Sequence, residues 1–225
     1  MSGSADGCRV KICGLTSADQ VQQAAQAGAA YVGLVFFERS PRHLGRDAAA
    51  AAACGAPAGV VRVGLFVNPT DAELDAVLER VPLDMLQLHG AEPPERVAAL
   101  RARHCLPVMK AVGVAGPDDL PRLDLYAQVA DQVLVDAKPP PGAGLPGGNG
   151  LAFDWRLIAG RRWQSPWMLA GGLTPANVSA AVHLTGAAQV DVSSGVESAP
   201  GIKDPQQMRA FIAAATGAGS VVLDA

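Results

Sequence analysis

Aromatic side chains make up only 4% of this 225-residue chain and charged ones only 17%. With 18 Lys and Arg against 21 Asp and Glu, the net charge is −3. There is no stripe of basic residues interleaved with aromatics, which excludes a nucleic-acid partner. The four cysteines, Cys8, Cys13, Cys54 and Cys105, contain no CxxC pair and no histidine at zinc-finger distance. That argues against a structural metal and for free thiols in a reducing cytoplasm. No apolar run approaches the roughly 18 residues of a membrane span. Met1 to Gly7 has neither a basic nor an apolar segment of a signal peptide, and no GxGxxG follows the first strand to cradle a dinucleotide.

What is present is a chain that is 49% hydrophobic, enough for a large core. β-rich runs alternate with Ala-rich helical stretches from end to end. The runs are Arg9–Cys13, Tyr31–Phe36, Val60–Phe66, Met85–His89, Pro107–Val112, Gln132–Asp136, Trp167–Ala170 and Gln189–Val192. Helical patterns include Ser17–Ala27, Asp71–Arg80, Pro94–His104, Pro175–Leu184 and Pro205–Ala215. Thr70 stands three residues before Glu73 as a capping box, and Pro175 reads as a first helical position. The sixth helix is weak and reads equally as a short turn around Asp154–Gly160. Units of about 28 residues with short crossovers imply parallel strands. The expected fold is a single (β/α)8 TIM barrel over residues 9–225, with residues 1–8 a flexible N-terminal extension. A doubly wound open sheet is the rival.

Strands of a parallel sheet are normally apolar on both faces. Here polar groups interrupt them near their C-terminal ends: Lys11 and Cys13 on the first strand, Gln87 and His89 on the fourth, Lys110 on the fifth, Asp136 on the sixth and Asp191 on the eighth. Active sites of such barrels lie at that rim. One such group is as often a satisfied core residue; their recurrence on strand after strand marks a site. Lys11 and Asp191 read equally as a buried ion pair closing the first strand on the last. Cys8 reads as inert, Cys54 and Cys105 as packing cysteines near helix ends, and His43, His104 and His183 as solvated.

After the seventh strand comes Ala170-Gly171-Gly172-Leu173, and after the eighth Ser193-Ser194-Gly195-Val196-Glu197. Small residues let backbone N–H groups approach an anion, and these two loops are the usual phosphate site of the fold. Pro139 to Gly150 reads as a loop that covers the substrate.

The segments Lys11-Ile12-Cys13-Gly14-Leu15-Thr16, Ser40-Pro41-Arg42, Gln87-Leu88-His89-Gly90, Val135-Asp136, Phe153-Asp154-Trp155, Ala170-Gly171-Gly172-Leu173 and Asp191 to Glu197 together resemble the phosphoribosylanthranilate isomerases. The likeness runs in order from about Val10 to Phe211. It departs at Asn149, where the family usually carries Thr, and in the Pro- and Gly-rich stretch before it. The resemblance implies a cofactor-free isomerase of tryptophan biosynthesis. It would convert N-(5-phospho-β-D-ribosyl)anthranilate to 1-(2-carboxyphenylamino)-1-deoxy-D-ribulose 5-phosphate by an Amadori rearrangement. Asp136 would be the general acid and Cys13 the general base. Arg42, Gln87, His89 and Asp191 would bind substrate, and Gly171, Gly172, Ser193, Ser194 and Gly195 its phosphate.

For such work the thiol and the carboxyl should both shift toward neutral pH. Lys11 or Lys110 would favour a thiolate. The partners expected are a phosphorylated sugar substrate and at most a second copy of the chain, as monomer or homodimer. An isomerase that also serves histidine biosynthesis is the nearest rival, but its relatives show Asp where this chain has Cys13. A metabolite sensor would lack one proton-transfer group, and a thiol-redox protein would need a resolving cysteine.

Overall fold

Eight parallel strands close on themselves in sequence order in the computed structural model, which describes residues 7–140, 142, 147–148 and 150–217. They are β1 (Arg9–Cys13), β2 (Tyr31–Phe36), β3 (Val61–Phe66), β4 (Met85–Leu88), β5 (Val108–Val114), β6 (Gln132–Ala137), β7 (Trp167–Leu169) and β8 (Gln189–Val192). The fold is therefore the (β/α)8 barrel, not the open sheet. Closure is made where β1 pairs with β8, Lys11 lying opposite Asp191. Met1–Asp6, half of the proposed covering loop (141, 143–146 and 149) and the tail from 218 lie outside the described residues.

Side chains alternate across each strand, and the two faces make separate cores. Val10, Ile12, Val32, Leu34, Leu86, Leu88 and their counterparts pack outward under the helices. Tyr31, Val63, Met109, Ala111, Leu134, Met168 and Ala170 fill the barrel's interior, and Cys13, Val35 and Leu65 form a small layer above them. Polar groups plug the bottom: Gln189 Oε1 accepts from Tyr31 Oη at 2.9 Å and from Gln132 Nε2 at 3.1 Å.

The helices are α1 (Ala18–Gln26), α2 (Arg46–Ala53), α3 (Asp71–Leu78), α4 (Pro94–His104), α5 (Leu120–Ala127), α6 (Val178–Thr185) and α7 (Pro205–Gly217). Thr70 and Glu73 form the expected capping box at α3, with Glu73 N donating to Thr70 Oγ1 and Thr70 N to Glu73 Oε2. A single 3-10 turn, Trp155–Leu157, replaces the helix after β6. Pro175 does not open α6. Asn177 takes the Thr174 N–H on its side chain and donates to the Gly172 carbonyl, so the helix starts three residues later. After β8 a small hairpin of β9 (Glu197–Ala199) and β10 (Ile202–Lys203) precedes α7.

Several side chains sit otherwise than the sequence suggests. Cys54 and Cys105 do lie at helix ends, but both are exposed rather than packed in the core. The His104 side chain is buried rather than solvated, because it faces α3, with Asp75 3.9 Å away. Cys8, just before β1, is buried in the outer core, and burial pushes its thiol up to about 11.

Lys110 is the largest departure. Its neighbours Met109 and Ala111 face the barrel interior, so Lys110 points outward and cannot reach Cys13. Its ammonium donates to Glu92 at 2.8 Å, the Gly90 carbonyl at 2.7 Å and the Leu88 carbonyl at 3.3 Å, and it lies over the Tyr126 ring. Glu92 in turn accepts from the amides of Asn68 and Gly90. The pair thus ties down the chain on both sides of His89. Removing one partner strands a buried charge. Lys110→Met is expected to lose about 3–5 kcal/mol in urea unfolding, with part recovered in Lys110→Met/Glu92→Leu. A loss under about 1 kcal/mol in the single variant would show the pair to be solvated.

Candidate active site

A cleft of about 800 Å³, open to solvent, lies where the strands end, and most of the polar groups singled out in the sequence line it. Cys13 enters from β1, Arg42 from the segment after β2, His89 from just beyond β4, Asp136 from β6 and Asp191 from β8. Gly171, Gly172, Ser193, Ser194 and Gly195 form one wall. Val35, Phe37, Leu65, Val67 and Leu173 supply apolar surface. Anionic, planar apolar and polyhydroxyl portions of one ligand would each find a matching wall.

Asp136 is held for directed chemistry. Its Oδ1 accepts from the Ala137 amide at 2.8 Å and its Oδ2 lies 3.1 Å from His89 Nε2. His89 Nδ1 lies 2.9 Å from Gln87 Nε2. An amide that donates to Nδ1 leaves the imidazole proton on Nε2, aimed at the carboxylate. Gln87 is fully buried one layer below the cleft and does not line it, so it reaches a ligand only through His89.

Across the cleft, Cys13 is buried and follows Lys11 at a spacing of two on the same face of β1. The sequence left open whether Asp191 serves Lys11 or a ligand; the geometry allows both. It accepts from Lys11 Nζ at 2.9 Å and also lines the cleft. Burial pushes the Cys13 thiol above its ordinary range; Lys11 opposes this, Asp191 adds to it and Lys203 opposes it. The expected downward shift is thus reversed, because two cations do not offset complete desolvation. Burial works against the charge of Lys11, but Asp191 and Cys13 hold its ammonium above the usual lysine range. Room for the thiol comes from Gly33, its partner in register on β2, where a Cβ would stand 2.8 Å from the sulfur.

Arg42 is buried and already bound: Nε and Nη2 donate to Glu197 at 2.7 and 2.8 Å. That side-on pairing leaves the end of the fork, Nη1 and the second N–H of Nη2, turned to the cleft. The glycine wall is also tighter than an anion pocket alone requires. Gly171 has φ 84°, and a Cβ there would meet the Ala137 amide at 2.6 Å and Asp136 Oδ1 at 3.2 Å. A side chain at Gly171 would therefore displace Asp136, and one at Gly195 would strike the Leu173 carbonyl. Two glycines of the covering loop, Gly147 and Gly148, lie over the same groups. A Cβ on Gly147 would meet His89 Nε2 and Asp136 Oδ2, and one on Gly148 would meet Arg42 Nη1.

The family model for N-(5′-phosphoribosyl)anthranilate (PRA) isomerase matches residues 10–214. The chain belongs to that family. It is 64% identical over 209 residues to N-(5′-phosphoribosyl)anthranilate isomerase of Cereibacter sphaeroides, covering 93% of this chain and 99% of that one. Its fold is similar to phosphoribosyl anthranilate isomerase from Thermotoga maritima, with TM-score 0.84, 37% identity and coverage of 93% and 99%. It is also similar, with TM-score 0.80, 36% identity and the same coverage, to a phosphoribosyl anthranilate isomerase in complex with reduced 1-(o-carboxyphenylamino)-1-deoxyribulose 5-phosphate.

Two charged residues of the site escaped the sequence reading. Glu197 belongs to a recognised motif but carried no assigned role, and Lys203 belongs to none. Lys203 sits in a two-residue strand beyond the last barrel strand, where nothing in the local pattern signals burial. Among the described residues no group of three or more His, Cys, Asp or Glu is placed to hold a metal ion, and no helix is long and apolar enough to cross a membrane.

The upward shift of Cys13 has a direct readout. In the ligand-free protein, alkylation of Cys13 by iodoacetamide is expected to reach half its maximal rate above about pH 8.5, the ordinary thiol value. A midpoint below that value would mean that the cations outweigh burial.

Proposed function

We propose that the chain performs the Amadori rearrangement of N-(5-phospho-β-D-ribosyl)anthranilate to 1-(2-carboxyphenylamino)-1-deoxy-D-ribulose 5-phosphate, with Asp136 as acid and Cys13 as base. This is the PRA isomerase step of tryptophan biosynthesis. The observation that carries the assignment is the opposition of these two groups across one cleft, each oriented by its own partners. A cytoplasmic location suits a protein with four free thiols.

The proton balance closes with these two residues. Protonated Asp136 gives its proton to the ribose ring oxygen, the bond from that oxygen to C1′ breaks, and the anilino nitrogen's lone pair forms a C1′ iminium. The Cys13 thiolate then removes the proton from C2′, and the freed electron pair makes the C1′–C2′ double bond of an enolamine. Returning the Cys13 proton to C1′, while the C2′ hydroxyl proton goes to Asp136, gives the ketone and restores both groups. A positive iminium inside a buried cleft favours a neighbouring thiolate. The acid step thus prepares the base: a thiol that is neutral in the free protein releases its proton to solvent once the ring has opened and regains one from solvent after the ketone has formed.

Arg42 presents the end of its guanidinium to the anthranilate carboxylate, a charge-assisted contact. The phosphate rests against Gly171, Gly172 and the turn from Ser193 to Gly195. The opening amides of that turn have no partner within it, and small side chains let them approach the anion. His89 orients Asp136, Gln87 orients His89, and Asp191 faces the sugar while neutralising Lys11.

Cys13→Ala and Asp136→Asn are each expected to lower kcat at least about 100-fold, the low end for general acid–base catalysis. Affinity for the reduced product analogue should change little, since proton transfer matters mainly in the transition state. Near-normal turnover in Cys13→Ala would remove the thiol from the mechanism.

A further inference from the structure

Lys203 is the buried cation that the reaction scheme leaves without a task. Its side chain is fully buried. Its ammonium donates to Glu197 Oε1 at 2.6 Å, to the Ser193 carbonyl at 2.9 Å and to Ser193 Oγ at 3.3 Å. Ser193 Oγ donates to the Cys13 carbonyl at 3.0 Å. Glu197, holding Lys203 on Oε1, holds Arg42 through both oxygens and also accepts from the Gly201 amide on Oε2 at 3.2 Å. The contacts form one continuous chain from Arg42 through Glu197, Lys203 and Ser193 to the end of β1.

We propose that Lys203 is a positioning residue for the reaction, joining the carboxylate-binding Arg42, the phosphate-binding turn and the base Cys13 into one unit and placing a fixed cation beside the thiol. The hairpin of β9 and β10 exists, on this reading, to deliver that cation from outside the barrel. On the barrel strands Lys11 also acts on the thiol but is shared with Asp191, and Lys110 faces away. The charged groups acting on Cys13 come from every side: Lys11 on β1, Asp191 on β8, Lys203 on β10 and Arg42 beyond β2. Lys203 and Lys11 favour the thiolate, whereas Asp191 and burial oppose it. Burial draws Lys203 below the usual lysine range, and Glu197 resists that fall. Glu197 therefore has two effects: it keeps Lys203 charged and it aims Arg42.

The inference rests on the proposed roles of Cys13 and Arg42, and the test separates the two. Lys203→Gln keeps a donor for Ser193 and removes the charge. Alkylation of Cys13 by iodoacetamide is followed against pH in a Cys54→Ala/Cys105→Ala background, since those two thiols are exposed. The midpoint is expected to rise by at least one pH unit, with kcat falling at least 10-fold at pH 7. A folded Lys203→Gln protein with an unmoved alkylation midpoint would overturn the proposal, whatever its turnover. The alkylation profile does not depend on Cys13 being the base, so failure of that assignment shows in Cys13→Ala turnover and not here. Glu197→Gln provides the second arm and holds if the Lys203 variant does not fold. It should weaken anthranilate binding at least 10-fold. Unchanged anthranilate binding in that variant would break the proposed link to Arg42.

Discussion

A parallel barrel closes only if its first and last strands meet in register, and here the seam is set by the ion pair between Lys11 and Asp191. Both side chains point into the interior, where an unpaired charge would cost several kcal/mol. A shift of one residue would turn them to opposite faces. The pairing therefore fixes the seam, and strand periodicity does the rest. Two residues beyond Lys11, Cys13 emerges at the floor of the cleft. Two beyond Asp191, Ser193 begins the turn proposed to face the phosphate. The relative height of the proposed base and of that turn follows from one buried contact.

The proposed base lies in surroundings that disfavour its ionised form. Packing Cys13 with Val35 and Leu65 excludes water and holds the thiol neutral. The cations of Lys11 and Lys203 reduce that penalty without reversing it. Such a balance suits a base needed only after the ring has opened, because the iminium then supplies the missing positive charge. Asp136 is treated differently: an amide and an imidazole orient it, and it lines the cleft beside Gly147. The proposed acid and base thus differ in surroundings as well as in position across the cleft.

Much of this was legible in the sequence because barrel strands obey a simple alternation. Polar residues at strand ends named Cys13, His89, Asp136 and Asp191, and all four line the cleft. Alternation also carried the information that Lys110 faces outward, since Met109 and Ala111 flank it. Its charge near a rim suggested a cation beside the Cys13 thiol, a placement that the face forbids. Gln87 has the right face and the wrong height, one layer too deep to touch a ligand. Lys203 and the Arg42–Glu197 bond were not legible, because they depend on a hairpin folding back 155 residues from Arg42. Pairings of that range are set by tertiary packing, and no local pattern announces them. The helix after β7 began late for a related reason, as the Asn177 side chain competes for the backbone groups a helix would use.

The central claim is that acid and base act at different steps, Asp136 on ring opening and Cys13 on C2′. The most direct measurement is the kinetic isotope effect with substrate deuterated at C2′, in the parent and in the Cys13→Ala and Asp136→Asn variants. Loss of the thiol should make C2′ deprotonation limiting and enlarge the effect on residual turnover. Loss of the carboxyl should make ring opening limiting and shrink it toward unity. The same isotope effect in both variants would contradict the division of labour between the two residues.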